Sequence, residues 1–305
     1  MRRGIYIVAN NRVADNAIAL LNSIRTYDPD TDIFLIPFDE NYQDLANTVA
    51  NLHSVQLFPD LSLLESFTQT IAEIFDRDFL ALPNKMRKLI AWFGPLDEFL
   101  YIDTDIIVFE QISQVLDHLK TADFLCCDYH YLGRGLQDIF SPFVKEKDIF
   151  TTEQFSDVFN SGFWASKKGA ISQEQMYQLL TECSQHREYF DFSRQTTDQP
   201  ILNYIVLKSM PKRLNLVKLG DNIPGSWAGS KHFEQKDYVL YDREQRLMYL
   251  HWAGTPMQPG GPYRELWEHY RYLHEPRPEK QSLHPQKKPL WQQFKTAIKK
   301  RIVGK

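Results

Sequence analysis

The amino-acid sequence predicts an α/β fold: a doubly wound sheet with helices on both faces. Three observations carry this. Apolar runs and helical periodicities alternate from the N-terminus in the order β-α-β-α-β. The 305 residues, 43% hydrophobic and 24% charged, have ordinary globular composition and suit one large α/β domain with additions. An apolar strand in the first half runs into two aspartates, the arrangement expected where open α/β sheets bind ligands.

The elements follow in order. Residues 4–9 (Gly-Ile-Tyr-Ile-Val-Ala) read as a buried strand. A helix is expected over about 14–26, where Ala17, Leu20, Leu21 and Ile24 share a face. Asp28-Pro29-Asp30 makes a turn, and Ile33–Phe38 is a second strand. A short helix around 41–50 leads to a third strand near Ser54–Phe58. This order implies parallel pairing. Helical stretches follow at 61–76 and 84–93. Glu98–Val108 is a strand interrupted by two aspartates, and Asp123–Asp128 is a further strand. Residues 129–157 read as an irregular excursion over the sheet edge. Phe159–Ser166 reads as a strand, 172–186 and 198–208 as helices, and Leu247–His251 as a strand. A Gly/Pro-rich loop at 254–262 precedes a closing helix at about 263–274. The expected organisation is a body over 1–275, a proline-dotted linker at 276–289 and a basic amphipathic helix at 290–305.

Bulk properties exclude several classes. Net charge is −4, but residues 280–305 hold eight Lys/Arg and no Asp or Glu, leaving −12 for residues 1–279. An acidic body argues against nucleic-acid binding. Cys126, Cys127 and Cys183 cannot form a disulfide framework and suit a reducing compartment. The apolar run Ile5–Ala9 is too short for a signal peptide or a membrane span, so a cytoplasmic location is expected. In the tail, Leu290, Trp291, Phe294, Ile298 and Ile302 lie at helical spacing among Lys295, Lys299, Lys300 and Arg301. That is the pattern of a helix resting on an anionic membrane surface, and a solvated basic tail is the other reading.

Four constellations carry chemistry. The first is Asp103-Thr104-Asp105. Residues two apart on an extended chain face the same way, so both carboxylates can converge on one cation. Buried at the end of an apolar run, they are costly unless a metal or donors satisfy them. Phosphohydrolases of the haloacid dehalogenase type use similar letters, but on the first strand and with Thr or Val where this chain has Ile107. The second is Phe159-Asn160-Ser161-Gly162-Phe163, where glycine permits close backbone approach and Asn160 offers both donor and acceptor groups. The third, Thr197-Asp198-Gln199, opens a helix and serves as a cap or as a ligand; Gln199 and Asn203 share a helical face. The fourth is His251-Trp252-Ala253-Gly254, a histidine at a strand end beside a glycine loop, which suits a metal ligand.

In this order, with Lys88-Leu89-x-x-Trp92 upstream, the four motifs resemble family 8 of the GT-A glycosyltransferases, the glycogenin and bacterial galactosyltransferase group, over about residues 4–258. The resemblance implies a GT-A fold and a nucleotide-sugar donor, a UDP-sugar in the first instance. The acceptor, whether saccharide, lipid or protein, is left open. By the same resemblance Asp103, Asp105 and His251 hold Mn²⁺ or Mg²⁺, the mixed oxygen and imidazole set favouring Mn²⁺. Asn10 and Arg12 line the nucleoside pocket, and Lys88 reaches the diphosphate or donor sugar. Asn160, Gly162, Asp198 and Gln199 cradle that sugar, Asp198 and Gln199 as the catalytic pair, and Gly254 lets the backbone approach the phosphates. Retention of anomeric configuration is implied as well. One departure is marked: Met257 stands where family members carry a phosphate-contacting lysine, leaving Lys212, Lys231 or Arg264 as candidates for that contact. Two other classes remain. A sugar nucleotidyltransferase would open with a Gly-rich loop, which Asn10-Asn11-Arg12-Val13 lacks. A non-catalytic nucleotide-sugar-binding relative would have little use for the full acidic and imidazole set.

Overall fold

The computed structural model describes residues 1–127, 139–192, 198–220 and 223–277. The expected tail helix at 290–305, most of the linker and part of the excursion after Cys127 lie outside these residues. Contacts group Met1–Arg271 into one compact body.

The chain begins β1 (Arg3–Ala9), α1 (Ala14–Tyr27), β2 (Asp32–Pro37), α2 (Gln43–His53) and β3 (Gln56–Leu57). All three strands pair in parallel, with Ile5 opposite Ile33 and Phe34 opposite Gln56. The apolar face of α1 is buried as its periodicity requires, Ala17, Leu20, Leu21 and Ile24 being wholly covered. Helix α3 (Leu61–Ile74) starts on Asp60, whose carboxylate accepts the Leu63 N–H at 2.8 Å.

The helix expected at 84–93 is instead a 3-10 helix, Pro83–Phe93. Its three-residue period puts Met86, Leu89 and Trp92 on one line facing the core, and Lys85 and Lys88 on another. Sequence periodicity does not separate these two helix types when the apolar spacing is three.

Then come β4 (Glu98–Ile102), β5 (Ile106–Val108) and β6 (Phe124–Cys126). The expected irregular excursion contains two short helices, α4 (Pro142–Glu146) and α5 (Thr152–Ser156), α5 opening with a reciprocal Thr151–Gln154 capping box. Strand β7 is Phe163–Lys167 rather than 159–166, because Asn160–Gly162 turns into it. Helices α6 (Gln173–Gln185) and α7 (Asp198–Ser209) precede β8 (Arg213–Asn215).

The main sheet has seven strands in the order β3-β2-β1-β4-β7-β6-β8. It is mixed: β7 runs antiparallel to both its neighbours. Every other pairing in this sheet is parallel, β6 with β8 included, so the expected parallel order is broken only at β7. Helices cover both faces. One core contains Tyr6, Phe67, Trp92, Trp164 and Tyr204 beneath α3, α6, α7 and the 3-10 helix; the other contains Ile7, Leu20, Leu100 and Phe163 beneath α1 and α2.

The remaining strands are β9 (Glu234–Lys236), β10 (Val239–Asp242), β11 (Gln245–Arg246) and β12 (Tyr249–His251), before α8 (Arg264–Arg271). The first three form a small antiparallel sheet, and β12 pairs with β5 in a two-stranded one. Among the described residues no helix is long and apolar enough to cross a membrane.

Candidate metal centre and donor pocket

Two ladders assemble the site. In the main sheet β4 pairs with β7, Ile102 opposite Phe163, and the Asp103 N–H extends the ladder to the Gly162 carbonyl at 2.8 Å. In the second sheet His251 pairs with Ile106, and the Trp252 N–H reaches the Asp105 carbonyl at 3.0 Å. The break between β4 and β5 thus places Asp103 beside Gly162 and Asp105 beside His251. Ligand atoms of Asp103, Asp105 and His251 all lie within 4.8 Å of one another.

Gly162 is the residue that makes this possible. A Cβ there would stand 2.3 Å from His251 Cε1 and 2.8 Å from Asp103 Oδ2. The glycine leaves room between two of the three ligands. Gly254 has a different reason: its φ of +63° is a left-handed conformation that other side chains adopt at a cost.

Asp103 uses its two oxygens differently. Oδ1 accepts hydrogen bonds from the Tyr101 hydroxyl at 2.6 Å and from Lys88 Nζ at 3.3 Å. Oδ2 lies on the Gly162 side, with the His251 imidazole. Lys88, only 5% exposed, also meets Asp198 Oδ2 at 2.8 Å and donates to the Ser161 carbonyl at 3.3 Å. Ser161 Oγ donates to Asp198 Oδ2 at 2.9 Å.

Charge explains the pKa directions. Burial works against the Lys88 ammonium, but Asp103 and Asp198 outweigh it and hold its pKa above the ordinary range. Burial likewise works against the Asp198 carboxylate, and Lys88 reverses that, keeping its pKa low. Burial and then Asp103 push the Tyr101 hydroxyl well up, so it stays a donor. Burial lowers the His251 pKa, and the Asp105 hydrogen bond more than restores it; the same bond depresses Asp105 against its own burial.

The set suits a divalent cation. Lys88 pairs with Asp103 and Asp198, and Asp105 with His251; once His251 gives up its proton to ligate, three carboxylates and one ammonium leave two negative charges for the cation. His251 Nε2 and Asp105 Oδ1 are 3.2 Å apart. That separation serves a hydrogen bond, and it is also close to the edge of about 3 Å in an octahedron with metal–ligand bonds of about 2.1 Å. Two carboxylates and one imidazole form a donor set that fits a divalent cation.

A cavity of about 400 Å³ adjoins the acids. Of the residues singled out from sequence, Asn10, Arg12, Lys88, Asp103 and Asp198 line it. Asn10 Nδ2 donates to Asp39 at 2.8 Å and its Oδ1 accepts the Arg12 N–H at 3.1 Å, tying the end of β1 to the end of β2. The lining does not include Asp105, Asn160, Gly162, Gln199, His251 or Gly254. Asn160 Oδ1 accepts the Gly162 N–H at 2.9 Å, and Gln199 Oε1 accepts the Ser161 N–H at 3.1 Å. These two amides shape the loop that carries Gly162.

Sequence reasoning passed over Phe38, Lys85, Tyr101 and Ser161. Phe38, Lys85 and Tyr101 line the cavity. Tyr101 was findable, since it shares a strand face with Asp103 two residues on. Lys212, Lys231 and Arg264 are not among the lining residues. Arg264 lies 3.9 Å over the Trp267 ring and pairs with Glu268 at 3.0 Å.

The fold defined by this sheet order is the GT-A glycosyltransferase fold. The galactosyltransferase LgtC, solved with donor and acceptor sugar analogues, superposes with a TM-score of 0.58 at 16% identity, covering 90% of this chain and 98% of LgtC. The glycosyltransferase GlyE of Streptococcus pneumoniae TIGR4 gives 0.54 at 16% identity, over 88% of this chain and 61% of GlyE. The bifunctional glycosyltransferase WbbM gives 0.54 at 15% identity, over 88% of this chain and 49% of WbbM. In sequence, the uncharacterized protein YfnF of Bacillus subtilis (strain 168) is 22% identical over 243 residues, 78% of this chain and 77% of YfnF. No protein-family model matches the chain.

Proposed function

We propose that this chain is a metal-dependent glycosyltransferase that moves a hexose from a nucleotide-sugar, a UDP-sugar in the first instance, to a saccharide, lipid or protein acceptor. The observation supporting it is the meeting of Asp103, Asp105 and His251 beside a cavity that reaches the carboxyl end of β1. Asp103, Asp105 and His251 would hold Mn²⁺ or Mg²⁺, whose chemistry there is to offset charge on the leaving diphosphate.

Other roles fall to the chain's own side chains. Asn10, Arg12 and Phe38 form the end of the cavity that takes the nucleoside. Lys88 fixes Asp103 and Asp198 in place and keeps Asp198 ionised. Asp198 then presents an acceptor to sugar hydroxyls. Gln199 and Asn160 hold the 160–162 turn in the geometry that leaves the ligands room. Transfer with retention of configuration belongs to this reading through the family resemblance.

A thermal-shift screen of nucleotide-sugars, each with and without Mn²⁺, tests it. The expected result is stabilisation that requires both ligand and metal. Absence of a shift with every pairing contradicts the proposal. With the donor in hand, the anomeric proton coupling of the product by NMR reads the stereochemistry; an inverted product removes the retaining assignment alone.

A further inference from the structure

The geometry points to Lys85 as the residue that binds the donor's diphosphate, in place of the lysine that Met257 displaces. This rests on the glycosyltransferase reading above and names a contact within it.

The argument begins with charge. Lys88 is committed to Asp103 and Asp198, at 3.3 and 2.8 Å. With a divalent ion bound, the acids and Lys88 sum to neutrality. A nucleoside diphosphate brings further negative charge of about −2 to −3, estimated from phosphate ionisation. Something else must meet it. The cations lining the cavity are Arg12, Lys85 and Lys88. Arg12 sits at the β1 end, in the turn capped by Asn10. Lys85 is left for the acidic end.

Its place follows from the helix type. Side chains at i and i+3 of a 3-10 helix eclipse, with a rise of about 6 Å per turn. Lys85 therefore stands one turn from Lys88 on the same line of Pro83–Phe93 and faces the same cavity. Its charge is felt at Asp198, adding to the effect of Lys88 there. Among the described residues its ammonium has no ion-pair partner within 4 Å, although the side chain is partly buried. A partly buried ammonium that lines the cavity and has no ion-pair partner is placed to donate to an anion bound there.

Position 257 cannot supply that cation. The Met257 side chain packs against the apolar cluster of Trp252, Leu266 and Trp267, and its carbonyl accepts a hydrogen bond from Arg264 at 3.1 Å. Arg264 is held there by Trp267 and Glu268.

The test uses the full chain with Mn²⁺ and isothermal titration calorimetry. The probes are UDP, GDP, ADP, CDP and TDP, and the nucleoside of whichever diphosphate binds tightest. Lys85→Gln is expected to weaken the diphosphate about tenfold or more, as for loss of a charged hydrogen bond, and to leave the nucleoside unchanged. Lys85→Arg should keep most of the affinity, which separates charge from packing. If wild type binds the diphosphate and Lys85→Gln binds it equally well, the inference is overturned and the proposed function stands. If wild type binds no diphosphate with Mn²⁺, both fall. An equal loss for diphosphate and nucleoside would assign Lys85 to pocket shape and also overturn it.

Discussion

Replacing Gly162 by alanine should disable the metal centre while leaving the fold assembled. The added methyl would lie 2.3 Å from His251 Cε1, about 1 Å inside ordinary van der Waals contact, and 2.8 Å from Asp103 Oδ2. Neither neighbour can retreat easily. His251 is 7% exposed, its N–H is bonded to the Ser226 carbonyl at 2.7 Å and its carbonyl to the Ala228 N–H at 2.8 Å. Asp103 is held through Oδ1 by Tyr101 and Lys88. The methyl therefore acts as a wedge between two ligands. A ligand displaced by about 1 Å costs on the order of 100-fold in turnover. Loss of ligand positioning lowers metal affinity about 10- to 100-fold, and overpacking costs the fold about 1–3 kcal/mol. Titration of Mn²⁺ by calorimetry, with melting curves in EDTA, measures both effects. A Gly162→Ala protein that binds Mn²⁺ as tightly as wild type would refute the placement of the ligands.

Other consequences are open to measurement. His251 must lose its proton to ligate, and its pKa is raised in the metal-free protein, so apparent Mn²⁺ affinity should fall as pH drops below that raised value, by up to about tenfold per pH unit, with proton release on binding. Without metal the sign is the reverse: the His251–Asp105 pair stabilises fully below the ordinary histidine pKa of 6.5, and this is lost as pH rises through the raised one. Metal-free melts that are flat across neutral pH would remove the pair. Lys88→Met strands Asp198 and Asp103 and should cost about 3–5 kcal/mol near neutrality. That cost should shrink in acid as Asp198 protonates, and a pH-independent cost in denaturant unfolding would contradict it. Asn203, fully buried, accepts from the Phe159 N–H at 2.9 Å and donates to its carbonyl at 2.8 Å. Asn203→Ala should therefore lose about 2–4 kcal/mol by leaving both groups unpaired, and a neutral result in the same assay would contradict this. Full-length protein should sediment with anionic liposomes and a chain ending at residue 279 should not; equal binding disposes of the membrane reading of 290–305.

The strand-end acids and the histidine were legible in the sequence because desolvation makes polar residues at the end of an apolar run conspicuous. How they meet was less so. The pairing of β5 with β12 is a long-range event with no local signature, yet it is what puts His251 beside Asp105. The reversed direction of β7 was hidden for the same reason, its entry following the excursion after Cys127. The small sheet β9–β11 escaped notice because its outer strands are exposed and charged. Its turns use Asp237, Tyr238, Arg243 and Glu244 at positive φ, without the glycine that usually marks such positions. Lys85 was invisible for a subtler reason. Spacing of three puts Lys85 beside Lys88 in either helix type, but nothing local in the sequence shows that this face of Pro83–Phe93 lines a cavity. Gln199 and Asn203 were rightly seen to share a face, but both engage the 159–161 backbone.

The central claim is that one cation sits between Asp103, Asp105 and His251. A crystal grown with Mn²⁺ and a nucleoside diphosphate, measured at the manganese edge, tests it most directly. A single anomalous peak about 2.0–2.3 Å from a carboxylate oxygen of each aspartate and from His251 Nε2 is the result expected. A peak elsewhere, or none with the nucleotide bound, would contradict the account.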